Sequence, residues 1–460
     1  MPGTFFGIES GMRALRTAQA AMDTVSHNIA NVNTPGYSRQ RVEFQVTDPY
    51  TTPSQWYQIG AMQMGTGVEA RTVTQARDSA LDLQVRRGYG DREALVAQRD
   101  ALAQVEQAVG EPGPNGINAA LTGLFNAFQD LAAGADSTPL RSAVVAGAGT
   151  LTSAFHNIDT RLENVERDLA ARVGMGIAEI NGIARQVATL NREIRNVVAQ
   201  GDTPNDLRDQ RNNLLDTLSK KANTTVIAAA DGTVTVQIGG AAIVRGTLDY
   251  PLSGIDALTA KNDVQGGEMK GLLDAQARLV DYRGKLDGLA AAFRDRVNTL
   301  HRGGLDKDGQ AGADLFVGTG AGDLAVNPLV AADPDLVAAA AGPVPPATFA
   351  VGNGDNALAI ADLAKEAITA GPIDNKTLRD WWGGVAASLG VEVKTLDGGV
   401  ASHDPFVRQL ESRRDAISGV SLDDEMADLV KFQRTYQAAA KLISISDDMM
   451  GTLLSAFGAR

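Results

Sequence analysis

Residues 422–457, LDDEMADLVKFQRTYQAAAKLISISDDMMGTLLSAF, decide the fold. Within them Leu422, Met426, Leu429, Gln433, Tyr436, Ala440, Ile443, Asp447, Met450, Leu454 and Phe457 follow one another at alternating spacings of four and three. That rhythm lays one narrow edge along a single side of a helix, the seam of a coiled coil. The opening of the chain repeats it through Ile8, Met12, Leu15, Gln19, Met22, Ser26 and Ile29. Helices at opposite ends meet only if the chain runs out and comes back. The pattern therefore predicts a mainly α, elongated rod whose N- and C-terminal helices pair as a coiled coil. A helical-bundle rod domain and a small β-containing insertion complete it.

Working inward from the ends, residues 4–31 read as one amphipathic helix about 40 Å long. Thr34-Pro35-Gly36-Tyr37 stops it, because proline disfavours helical geometry at the residue before it and glycine accepts a sharp reversal. Residues 38–75 alternate and read as extended. Helical period resumes from Leu81 to Val109, from Ile117 to Leu131, and over a long run from Leu151 to Val197 with bends suggested at Gly174 and Gly176. A further helix holds Leu207 to Leu218. Thr224–Val244 alternates around Asp231-Gly232, a hairpin signal. Helix returns from Leu272 to Leu300 and again past Thr377, breaking at Ile417-Ser418-Gly419-Val420. The expected organisation is nested. Residues 1–45 with 418–460 form an inner coiled-coil domain, and 46–220 with 265–302 and 356–417 a helical rod domain. Residues 221–264 form a β-hairpin region and 303–355 a small outer insertion.

A net charge of −13 with no basic run argues against nucleic acid, which demands clustered Lys and Arg. The absence of cysteine removes disulfides, thiol nucleophiles and thiolate metal sites. No run of about 18 apolar residues is present to insert into a membrane, and the first residues carry no cleavable secretory leader. Aromatic residues make up only 5%, so small side chains must do much of the packing.

Four local words are specific: Ser26-His27-Asn28-Ile29-Ala30-Asn31 running into Tyr37, Ser38-Arg39-Gln40, Leu207-Arg208-Asp209-Gln210-Arg211, and Ser418 through Lys441. Together they resemble the terminal signatures of bacterial flagellar rod, hook and hook-associated proteins. Gly7-Ile8-Glu9-Ser10-Gly11, Met64 to Val68, Arg77-Asp78 and Gly354 to Ala357 narrow the resemblance to junction members of that family.

The resemblance implies a structural, non-enzymatic subunit of the flagellum, extracellular and secreted without a cleavable signal peptide through type III export. It implies a homo-oligomeric ring between hook and filament, touching the hook protein and a second junction protein, with an export chaperone on the C-terminal helix. The assembly interface is expected at Ile8, Met12, Leu15, Met22, Ile29, Thr34, Pro35, Gly36, Tyr37, Leu422, Met426, Leu429, Tyr436, Ile443, Met450, Leu454 and Phe457. The terminal helices are expected to order only on assembly, because two lone helices leave half of each seam wet. Gln433 and Asp447 sit either inside the seam, setting register, or at its edge.

No catalytic, cofactor or metal site is expected. The four histidines lack ligand spacing, Asp306-Lys307-Asp308-Gly309 lacks the full calcium loop, and Gly318 to Gly322 reads as a plain loop. Asp423, Asp424 and Glu425 open a helix, where negative charge complements the dipole. The rivals are a hook or distal-rod protein of the same family, and an enzyme using residues 303–355. That stretch holds no His, Cys or Ser.

Overall fold

The structure, a computed structural model, describes residues 6–49, 65–254, 264–342, 350–368, 373 and 375–458. Ten α-helices lie among them: α1 Phe6–Ala30, α2 Ser79–Val109, α3 Ile117–Ala133, α4 Thr138–Ala199, α5 Asn205–Lys221, α6 Glu268–Gly303, α7 Pro328–Ala332, α8 Asp355–Asp362, α9 Leu378–Ser418 and α10 Leu422–Gly458. The chain is mainly α, as the periodicity requires. It divides into two units, one of Met1–Asp91, Ile177–Gln265 and His403–Arg460, the other of Arg92–Gly176 and Gly266–Ser402.

In the first unit, β1 (Gln40–Val46) and β2 (Val68–Gln75) form an antiparallel pair just after the turn that ends α1. Residues 50–64 of the stretch read as extended lie outside the described residues. Alternation at Thr224–Val244 predicts a hairpin; the structure carries it further. Strands β3 (Thr224–Ala228), β4 (Val234–Ile238), β5 (Ala241–Arg245) and β6 (Leu248–Asp249) make a four-stranded antiparallel meander. Asp231 Oδ1 accepts from the Thr233 N–H (3.0 Å) and hydroxyl (2.7 Å), closing the first turn. Asn191, on α4, fastens this sheet. Its amide donates to the carbonyls of Val234 (2.8 Å) and Gly246 (2.6 Å) and accepts from Val234 N–H and from Arg211.

The second unit is closed by large side chains. Leu121, Leu124 and Phe128 of α3, Leu151 and Phe155 of α4, and Leu279, Leu286 and Phe293 of α6 are fully buried. Phe293 meets Phe316 edge-on at 5.0 Å between ring centroids. Helix α4 runs unbroken through Gly174 and Gly176, where the sequence suggests bends. Packing explains Gly176 instead, since a Cβ there would stand 2.6 Å from Met269 Sδ.

The described part of residues 303–355, expected as a small outer insertion, belongs to this unit. Asn298 bonds both N–H and C=O of Phe316, and Arg141, 1% exposed, gives its guanidinium to the carbonyls of Ala135, Asp335 and Val337. The stretch is held by these side-chain bonds and by its own buried apolar residues, Leu315, Phe316, Leu324, Val330 and Val337 among them. Asp306-Lys307-Asp308-Gly309 is a turn in which Asp306 Oδ1 accepts from the N–H groups of Asp308 (2.9 Å) and Gln310 (2.8 Å).

Candidate assembly site at the paired termini

Helices α1 and α10 lie antiparallel. A Cβ on Gly7 would sit 2.9 Å from Ser446 Oγ, and one on Gly11 2.8 Å from Ile443 Cγ1. At the other end of the pair, Asn28 meets Glu425. The face of α1 that is buried carries Gly11, Thr17, Ala18, Ala21, Val25 and Asn28, and α10 answers with buried Glu425 and Ala439.

On α1 this seam lies one position beside the apolar stripe read from the sequence. Of that stripe, Ile8, Leu15, Met22 and Ile29 are half-buried and Met12 is exposed. On α10, Leu429, Tyr436, Ile443 and Met450 border the seam half-buried, whereas Leu422, Met426 and Leu454 face outward, Leu454 at 70% exposure. The Phe457 side chain lies outside the described residues. Gln433 and Asp447 are exposed, away from α1. The physical reason is close approach: helix backbones draw nearest where side chains are smallest, so glycine and alanine take the inside. Larger residues at the same four-three rhythm are left on the flanks. Val430, Leu442, Ile445, Met449 and Leu453 join them on the exposed surface of α10.

The turn after α1 is built by its own polar groups. Thr34 Oγ donates to Asn31 Oδ1 (3.1 Å), and Tyr37 N–H donates to the Thr34 carbonyl (3.2 Å). Gly36 has φ +76°, and a Cβ there would fall 1.8 Å from Asn213 Oδ1, so both backbone and space demand glycine. Thr34, Pro35 and Gly36 are exposed; Tyr37 turns back and is half-buried.

Beneath the turn sits a polar knot. Asn28 Nδ2 donates to the Gln40 carbonyl (2.9 Å) and Glu425 Oε2 (3.0 Å), while its Oδ1 accepts from Gln40 N–H (2.9 Å) and the Tyr37 hydroxyl (2.8 Å). Every bonding position of the amide is used. Glu425, 1% exposed, also receives Arg39 Nε at 2.6 Å. The Arg39 N–H donates to the Ser418 carbonyl at 2.8 Å.

The next residue extends the knot. Ser38 gives its N–H (2.9 Å) and hydroxyl (2.8 Å) to Asp209, and Arg77 bridges Asp209 (3.2 Å) to Asp82 (2.6 Å). Burial pushes the Asp209 carboxyl up from its ordinary range, against the pull of the Ser38 bonds and Arg77. Burial, with Asp206, Asp209 and Glu425 nearby, also raises the Tyr37 phenol, which keeps it a donor. Arg211, held by Asn191 and the Gly232 carbonyl, is brought down to about 10 by burial.

A second cluster backs the first. Leu81, Val85 and Tyr89 of α2 bury against Val407 and Leu410 of α9. Asp216 of α5 receives Arg86 (2.7 Å) and Arg414 (2.6 Å), and the Tyr89 hydroxyl donates to Glu411 at 2.6 Å.

Sequence reasoning passed over Asn28, Arg39, Asp209 and Glu425 as site residues, although each lies inside a quoted word. Glu425 was placed with its acidic neighbours as a dipole partner; it is buried and paired, while Asp423 and Asp424 are exposed. Asn191 carried no signal beyond being a polar residue at a helical core position. Among the described residues no group of three His, Cys, Asp or Glu stands close enough to hold a metal. No helix among them is long and apolar enough to cross a membrane.

Three stretches match known families. Residues 102–316 match the flagellar hook-associated protein FlgK helical domain, 413–456 the flagellar basal body rod FlgEFG protein C-terminal family, and 8–37 the flagella basal body rod protein family. Flagellar hook-associated protein 1 of Bacillus subtilis is 29% identical over 510 residues, spanning 100% of this chain and 99% of that relative. The protein of the same name from Escherichia coli is 24% identical, spanning 97% of this chain and 99% of its own. The fold resembles that of the flagellar hook junction protein FlgK from Burkholderia pseudomallei, with a TM-score of 0.65 at 16% identity. That match covers 73% of this chain and 100% of the other.

Proposed function

We propose that this chain, which resembles flagellar rod and hook-associated proteins in three matched stretches and hook-associated protein 1 over its full length, is a structural subunit joining hook to filament. It works as a homo-oligomeric ring, seated on the hook protein and capped by a second junction protein. The observation that carries this reading is the outer face of α10. Met426, Val430, Leu442, Ile445, Met449 and Leu454 are exposed on one helix whose inner face is already closed by α1. Soluble chains rarely leave so much apolar surface on one element unless a partner covers it. Sister subunits supply that cover after type III export, and an export chaperone shields the same helix beforehand, in the manner of an amphipathic helix in a groove.

The turn at Thr34, Pro35, Gly36 and Tyr37 sets the angle at which the chain leaves the paired helices, because its hydrogen bonds return to Asn28 and Asn31. Immunogold labelling of purified flagella tests the assignment. Label confined to a band between hook and filament supports it. Label along the hook or within the rod would assign the chain to another member of the family.

A further inference from the structure

We propose that Glu425 is the positioning residue that fixes the register of the terminal helix pair, locking α10 against α1 and both against the body of the first unit. This goes beyond the place of the chain in the flagellum and does not rest on it.

The seam itself is poor at choosing a register. Its inner residues on α1 include Gly11, Ala18 and Ala21, and of the three successive alanines of α10, Ala438 to Ala440, only Ala439 is buried. Small side chains repeated at heptad spacing pack nearly as well after a shift of seven residues, because each knob resembles the next. Something else must distinguish the native alignment. A buried polar group does so well, since any shift leaves it without partners in an apolar seam.

Glu425 meets that description. It is 1% exposed, it accepts from Asn28 Nδ2 at 3.0 Å, and it accepts from Arg39 Nε at 2.6 Å. A slip of seven residues would set Ala21 beside the carboxylate instead of Asn28, or carry the carboxylate past the end of α1. Neither places the Asn28 donor against it. Arg39 is itself tethered, its N–H to the Ser418 carbonyl and its carbonyl to the Ala76 N–H. The neighbouring Ser38 is bound to Asp209 and Arg77. The lock therefore refers α10 to α2 and α5 as well as to α1. At the far end Gly7 and Gly11 act as notches for Ser446 and Ile443, so the alignment is pinned by charge at one end and by space at the other.

The chain has no cysteine, which makes disulfide trapping clean. Gly7→Cys with Ser446→Cys reports the native register. Gly7→Cys with Ala439→Cys, or with Leu453→Cys, reports a shift of seven residues in either direction. Each pair is oxidised in the full-length chain carrying Glu425, E425L or E425Q, and cross-linked product is measured after denaturation. Glu425→Leu keeps bulk and leaves Arg39 with Asp428, 3.7 Å away. With Glu425 the native pair should cross-link at least about tenfold better than either shifted pair. In E425L that preference should fall to about twofold or less while far-ultraviolet circular dichroism keeps its helical signal. E425Q retains an acceptor for Asn28 and should lie between them. An undiminished native preference in E425L and E425Q would overturn the proposal. So would equal trapping of native and shifted pairs with Glu425 present, or no trapping in any pair.

Discussion

The terminal pair and the second unit are both helical, and they are finished to different degrees. In the second unit Phe128, Phe155 and Phe293 and the leucines around them are sealed from solvent on every side. The terminal pair closes one narrow seam of glycine and alanine and leaves a row of Leu, Ile and Met facing outward. Helical periodicity alone does not distinguish these cases. Size does: bulky residues inside make a self-sufficient body, whereas small residues inside and bulky residues outside make half of an interface.

The sharpest way to test that contrast is to damage each region in kind. Phe293→Ala should lower the stability of the second unit by about 3–5 kcal/mol, read as a shift of its denaturant midpoint. A surface change on α10 should do the reverse. Leu454→Asp should leave that midpoint within about 0.5 kcal/mol yet abolish co-assembly with the flagellum, scored as loss of filaments on hooks. A normal filament count in L454D would remove α10 from the interface. Ile443→Asp, beside the Gly11 notch, should likewise block assembly while the second unit melts as before.

A filled seam should resist enlargement. Ala18, 3% exposed, is sealed in the face of α1 that meets α10, so Ala18→Leu should cost about 1–3 kcal/mol of terminal-pair stability. Amide exchange localised to residues 6–30 and 422–458 reads that loss. In the wild-type monomer the same amides should exchange faster than those of α3 and α6 if, as proposed, neighbouring subunits complete their burial on assembly. Protection equal to that of α3 would show the pair to be complete without partners.

A smaller effect of pH belongs to the second unit alone. His301 is fully buried; its Nε2 accepts the Ala338 N–H at 2.9 Å, so Nδ1 carries the proton toward the Ala313 carbonyl. Burial holds its pKa below the ordinary 6.5, opposed by the Ala313 bond. Between the depressed value and about 6.5 the unfolded chain binds a proton that the fold refuses. Stability is therefore lost as pH falls below about 6.5, and His301→Gln should flatten that dependence in denaturant titrations at pH 7 and pH 5.

Much of this was legible in the residues. The stops at Thr34-Pro35-Gly36 and Gly419 and the hairpin at Asp231-Gly232 follow from backbone chemistry that acts within a few positions. The pairing of the two ends followed from matching rhythm. What periodicity could not supply was phase. Two stripes one residue apart share the same spacing on α1, and choosing between Ile8-Met12-Leu15 and Gly11-Ala18-Ala21 requires knowing how near the partner backbone comes. Nor could spacing reveal that Ser38, Arg77 and Asp209 converge within hydrogen-bonding reach, or that Glu425 reaches Asn28 and Arg39. Their partners are remote in sequence, and each alone resembles an ordinary surface residue.

The bond between Asn28 and Glu425 joins residues 397 positions apart. Closing so long a loop carries a large entropic cost before any contact rewards it, and such contacts slow the search for the native state. A ribosome releases the first helix long before its mate exists. That segment therefore remains unmated until residues 422–458 have been made, and the zipper between the two helices can be postponed until a partner is at hand.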